Sequence, residues 1–147
     1  MDGTCASRYF YFSSATYYIS GSFTMSTFNI TSGTVYMGTG IWELIGVGDV
    51  WYWTGGTVYG QTSTIKITDM SSDGKYFVGG NQTYYNIYMT GAGTGIYHIW
   101  DSNTFNEFKV DTPPHTVYFE TNSITTVSTW TVCGKKNKLI ILNREDR

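Results

Sequence analysis

The chain has little of what builds a helix. Ala and Leu occur three times each among 147 residues, so the residues that lose least entropy on entering a helix are scarce. Charge is scarce too. Charged residues make up 14% of the chain and the formal net charge is −2, so the basic stripe that neutralises phosphates is missing and nucleic acid is not an expected partner. No run of eighteen apolar residues exists, and no membrane span is expected. The first thirty residues carry charge, serines and tyrosines where an export signal has its short apolar core. There are two prolines, two cysteines and two histidines, and His98 and His115 have no Cys, Ser or carboxylate at a spacing that suggests a metal cluster or a catalytic triad. No glycine-rich loop opens a helix, which leaves phosphate cradling unsupported. No cofactor is expected.

What is abundant is Thr (23), Gly (17), Ser (13) and Tyr (13). Together with 12 Ile and an aromatic fraction of 18%, this favours a pleated surface with enough apolar area to fold. The length suits one domain with a real core. An all-β protein is expected.

A repeat runs through it. The template of one apolar residue, two others, an apolar, one other and an apolar falls on Met25/Phe28/Ile30, Trp42/Ile45/Val47, Thr62/Ile65/Ile67, Tyr84/Ile87/Met89, Phe105/Phe108/Val110 and Val127/Trp130/Val132, at intervals of 17, 20, 22, 21 and 22 residues. Short β runs follow in step at Tyr76 to Val78, Ile96 to Ile99, Val117 to Phe119 and Leu139 to Ile141. The segment Gly33-Thr34-Val35-Tyr36 recurs as Gly56-Thr57-Val58-Tyr59, with His115-Thr116-Val117-Tyr118 as a weaker third copy. Between these lie turn segments such as Ser71-Ser72-Asp73-Gly74, Gly79-Gly80-Asn81, Gly91-Ala92-Gly93 and Asp111-Thr112-Pro113-Pro114.

A period near 21 with short strands and turns in each unit reads as a parallel β-solenoid, or β-helix, of about 21–22 residues per coil and roughly six coils. Alternation along each strand predicts an inward column of Phe28, Ile45, Ile65, Ile87, Phe108 and Trp130, and an outward column of Asn29, Gly46, Lys66, Tyr88, Lys109 and Thr131. The competing fold is a β-sandwich or jelly roll, which does not demand a fixed longer period. Residues 25–147 are assigned to the solenoid, and residues 1–24 to an aromatic-rich N-terminal cap or extra coil.

The stretches Gly56-Thr57-Val58, Ser63 through Asp69, Lys75-Tyr76-Phe77, Thr83 through Ile87, Ser102 through Asn106, Asp111 through Val117 and Lys138 through Leu142 resemble the repetitive β-solenoid segments of bacterial surface proteins and of bacteriophage fibre-type structural proteins. The resemblance implies a spacer or stalk role; an extracellular, cell-surface or virion-surface location is expected, and no enzymatic activity, since a lone pair of stacked carboxylates is more often solvated surface than a catalytic dyad.

Three functions follow as expectations. The first is a non-enzymatic structural subunit that stacks head to tail with copies of itself into a filament. Residues 1–134 sum to −5 and residues 135–147 to +3, which orients such contacts. In a straight solenoid Cys5 and Cys133 lie on the order of 25 to 29 Å apart, too far for a disulfide within one copy, and are candidates for pairing between copies. The second is an adhesin or receptor-binding module that stacks cell-surface glycans on exposed aromatics, with Trp51, Trp53, Trp100 and Tyr88 as candidates. The third is a polysaccharide-degrading β-helix enzyme, for which Asp49 and Asp69, spaced one coil apart, are the only stacked carboxylates; Asp101 has none one coil before or after it.

Overall fold

The computed structural model describes residues 9–91 and 93–147. Its sixteen strands form no helix among the described residues, and every strand pair is parallel. The first coil holds β1 (Tyr9–Phe12), β2 (Thr16–Tyr18) and β3 (Phe23–Met25). The second holds β4 (Thr27–Ile30), β5 (Thr34–Tyr36) and β6 (Ile41–Leu44). The third holds β7 (Gly48–Trp53), β8 (Thr57–Tyr59) and β9 (Thr64–Ile67). From the fourth coil on, each turn has two strands: β10 (Lys75–Val78) with β11 (Thr83–Met89), β12 (Ile96–Trp100) with β13 (Thr104–Val110), and β14 (His115–Glu120) with β15 (Thr126–Val132). A last strand, β16 (Ile140–Glu145), begins a seventh coil. The protein is a parallel β-solenoid.

One face runs β1-β4-β7-β10-β12-β14-β16. The other face changes character along the axis. In coils 2 and 3 a corner separates the second and third strands, and it is built on left-handed backbone at Gly38 (φ 69°) and Gln61 (φ 49°). In coil 4 the sequence Thr83-Tyr84-Tyr85-Asn86-Ile87-Tyr88-Met89 holds no glycine there, and residues that favour extended backbone carry one strand through. The strand β11 therefore pairs with β8 at Thr83–Tyr59 and with β9 from Asn86 to Met89. Three-sided coils give way to two-sided ones at that strand.

The interior is filled by two columns. On the first face Phe10, Phe28, Trp51, Phe77, Ile99 and Phe119 stack in register. The Phe28 and Trp51 rings lie 3.8 Å apart at 13°. On the second face the column is Phe23, Trp42, Ile65, Ile87, Phe108, Trp130, at steps of 19, 23, 22, 21 and 22 residues. The expected column is correct from Ile65 onward and wrong before it. Phe28 belongs to the opposite face, and Ile45 is exposed after β6. The outward partners there are Thr24 and Glu43, not Asn29 and Gly46. Three-sided coils carry apolar alternation on three short strands, so the template fits more than one of them. The segment Tyr9–Met25 is itself a coil in register with the second. The two Gly-Thr-Val-Tyr copies pair directly as β5 and β8, whereas His115-Thr116-Val117-Tyr118 lies on the other face in β14.

The buried polar tips of Trp42, Trp51 and Tyr84 are paired, as the low dielectric of a core favours. Trp51 Nε1 donates to the Tyr84 hydroxyl at 3.0 Å, which donates to the Gly79 carbonyl at 2.7 Å. Trp42 Nε1 donates to the Met37 carbonyl at 3.1 Å. Burial pushes the Tyr84 phenol well above its ordinary ionisation range.

Candidate functional site

Three places carry chemistry: a polar interior corner, an aromatic groove on the flank, and the C-terminal pole. The corner forms where the second face turns back to the first. Lys75 points inward with only 1% of its side chain exposed, and its ammonium sits 2.9 Å from Asp69 Oδ1 and donates to the Ser71 carbonyl at 2.7 Å. Burial pushes the Asp69 carboxyl up, but hydrogen bonds from the Ser71 hydroxyl, Lys75 and the Ser71 amide, together with the Lys75 charge, outweigh it and hold the carboxyl below its ordinary value. One coil on, Tyr97 is buried with its phenol raised to about 12, chiefly by burial and then by the Asp69 charge. His115 Nε2 lies 2.7 Å from the Gly91 carbonyl. These groups hold the turns to one another.

The groove arises from the change in cross-section. Outward on β2, β5 and β8 stand Tyr18, Tyr36 and Tyr59, stacked with centroids 4.7 Å apart at 5° and 4.7 Å apart at 12°. That is the strand spacing of a sheet. The next residue in register after Tyr59 is Thr83. The ladder stops there, and a groove of about 620 Å³ opens, lined among others by Tyr59, Gln61, Asn81, Tyr85, Asn106 and Ser128. Tyr84 and Ile87 both face inward with two residues between them, so β11 bends at Tyr85-Asn86 under the groove.

At the C-terminal pole the core is open. Trp130 is 45% exposed although its in-register neighbour Phe108 is wholly buried. Leu142 is 46% exposed beside wholly buried Val117. Neither β15 nor β16 has a strand on its outer side among the described residues. Phe119, Ser123, Thr125 and Trp130 line a depression of about 220 Å³. The turn Lys135–Lys138 between β15 and β16, closed by reciprocal backbone hydrogen bonds of 2.8 and 2.9 Å, carries three lysines. Arg144, in register beyond Phe119, puts a further charge at the end of the first column.

The residues expected to bind glycans do not form one surface. Trp51 is wholly buried, and Phe28 and Phe77 cover its ring faces, so no sugar reaches it. Trp53 donates to the Gly56 carbonyl at 3.2 Å and packs close against Gly80. Trp100 lies under the Arg147 guanidinium, 4.7 Å from its ring centroid, and donates to Glu145 at 3.0 Å. Tyr88 is on the opposite face, donating to Glu107 at 2.6 Å; that bond, then burial, raises its phenol to about 12. Cys133 is exposed directly after β15, and Cys5 lies outside the described residues.

Asp49 and Asp69 do not stack. Asp49 pairs in register with Tyr76, because the β7–β10 step is longer than the others, while Asp69 is tied to Lys75. Asp101, in contrast, does have a carboxylate one coil on: Glu120 accepts from the Asp101 amide at 2.8 Å. The other Asp101 bonds come from the Gly80 amide at 2.7 Å and Arg147 at 3.3 Å. His98, sandwiched between Tyr76 and Tyr118, contacts Glu145. The carboxylates of Asp101, Glu120 and Glu145 are engaged in cross-coil bonds. Among the described residues no group of three His, Cys, Asp or Glu side chains is placed to hold a metal ion.

The groove was missed in sequence because its signal is a substitution within a ladder, Thr83 where a fourth tyrosine would stand, and the ladder is visible only once the coils are in register. Comparison with known proteins returned no match to a family model, a curated protein or a solved structure.

Proposed function

We propose that the protein is a non-enzymatic structural subunit whose solenoid stacks head to tail on copies of itself as an extracellular fibre. The open C-terminal pole carries this reading. A solenoid end with free strand edges and an uncovered core column is what a further coil completes, and natural proteins otherwise hide such edges. A contact between unlike ends does not close on itself and makes a filament. The joint also has a counterpart inside the molecule: β11 takes two short strands, β8 and β9, along one edge, and β15 is a seven-residue strand in the same column.

Sedimentation velocity across a hundredfold range of concentration, with electron microscopy of the densest sample, tests it. Growth of end-to-end particles, lost in Trp130→Asp with the circular dichroism unchanged, is the expected result. A chain that stays monomeric throughout overturns it. Under oxidising conditions the filaments are expected to yield a ladder of Cys5–Cys133-linked oligomers on a non-reducing gel, abolished by Cys133→Ser.

A further inference from the structure

We infer that the flank groove below Tyr59 is a binding site for a neutral oligosaccharide. Within the ladder, each tyrosine ring covers the faces of its neighbours, so Tyr36 offers only its edge. Tyr59 is different. One face rests on Tyr36, and the other looks towards Thr83, whose short side chain leaves that face open to the groove. A free aromatic face beside polar groups is what the C–H face of a sugar ring stacks on while its hydroxyls find partners.

The polar groups are already oriented. Gln61 Oε1 accepts from the Gly38 amide at 2.5 Å, leaving Nε2 as a donor with no partner among the described residues. Asn81 Oδ1 accepts from the Ser102 amide at 2.9 Å, leaving Nδ2 likewise. Asn106 Nδ2 donates to Asn86 Oδ1 at 3.1 Å, leaving its own Oδ1 as an acceptor. Each amide is held at one end by the coil stack and presents the other, so little rotamer entropy remains to be lost on binding. The ligand class follows from what is absent among the lining residues: none is Asp, Glu, Lys, Arg or His. Nothing there compensates a phosphate, a sulfate, a uronate or an ammonium, and desolvating such a charge without a partner is costly. A neutral polyhydroxyl chain fits the amides, the hydroxyls and the open face of Tyr59. The volume of about 620 Å³ lies in the range of small-ligand sites.

The inference does not depend on end-to-end stacking, because the groove lies on the flank. The test uses neutral hexose and N-acetylhexosamine oligosaccharides of four to six units, titrated calorimetrically against the full chain, with a sulfated oligosaccharide and an extended neutral peptide as comparisons. At least one neutral saccharide binds, with neither comparison doing so. Thr83→Tyr continues the ladder into the groove and abolishes binding while leaving the melting temperature unchanged or higher. Tyr59→Ala weakens binding about tenfold. Tyr9→Ala, an exposed tyrosine on the opposite face, leaves it unchanged. Absence of binding across the saccharides at millimolar concentration overturns the inference, as does a bound saccharide indifferent to Thr83→Tyr, or binding of the peptide alone.

Discussion

The buried ammonium of Lys75 makes the interior corner the most sensitive point in the core. Removing its counter-charge by Asp69→Asn leaves a cation uncompensated and is expected to destabilise the fold by about 3 kcal/mol. Lys75→Met removes the cation instead, and the partly exposed Asp69 keeps its Ser71 bonds, so a cost of about 1 kcal/mol is expected. Denaturant melts of the two variants at neutral pH check the order. The same pair sets an acid dependence. The carboxyl of Asp69 ionises below its ordinary value of 3.8, so its contribution is present above that value and is lost as pH falls through the lower, folded one. The stability of the parent chain therefore drops on acidification below about pH 4, and Asp69→Asn flattens that part of the curve. At the alkaline end Tyr88 behaves in the opposite sense. Its phenol is raised to about 12, so its contribution is present below the ordinary tyrosine value and lost as pH rises through 12. Tyr88→Phe is expected to remove one late-ionising group from the absorbance titration at 295 nm.

Among the elements, glycine corners decide where coils turn, and two of them differ in a way that can be measured. Gly56 has φ +87°, and a Cβ there would meet the Gly33 carbonyl oxygen of the coil below at 2.6 Å. Gly48 has φ +70° but nothing within 4 Å of the same position. Both substitutions to Ala carry the left-handed backbone cost of about 1–2 kcal/mol, and only Gly56→Ala adds a clash with backbone that cannot move aside. Gly56→Ala is expected to cost at least about 2 kcal/mol more than Gly48→Ala, read from their denaturation midpoints. The two-sided coils were legible in the sequence for a reason visible at the same scale. Tyr84, Ile87 and Met89 lie on one long strand with one bend, so their spacing recurs intact at Phe105, Phe108 and Val110. In the three-sided coils the corners at Gly38 and Gln61 interrupt the period, which is why Phe28 and Ile45 were drawn into the wrong column. The Tyr59 groove was illegible for a further reason: it depends on Tyr59 meeting Thr83, 24 residues on, a pairing no local pattern specifies.

In the whole molecule, each coil pairs its strands only with the coil above and the coil below, and among the described residues the side chains of Glu145 and Arg147 alone reach two coils back, to His98, Trp100 and Asp101. Stability is therefore close to a sum of coil and interface contributions with the ends least supported. Native-state hydrogen exchange is expected to show the strongest protection in β7, β10, β11 and β12 and the weakest in β15 and β16. Uniform protection along the axis would contradict this. Such an architecture also changes size in quanta. Duplicating one two-sided unit, from Gly91 to Val110 or from Asp111 to Val132, inserts a coil whose upper and lower faces have the same outline, so a longer protein of the same cross-section results. A duplication spanning the passage from β8 and β9 to β11 sets a two-sided coil beneath a three-sided one and breaks the register on one flank. Length is therefore free to vary on the C-terminal side of Thr83 and is constrained at that residue, which makes the groove a fixed landmark on a body of adjustable reach.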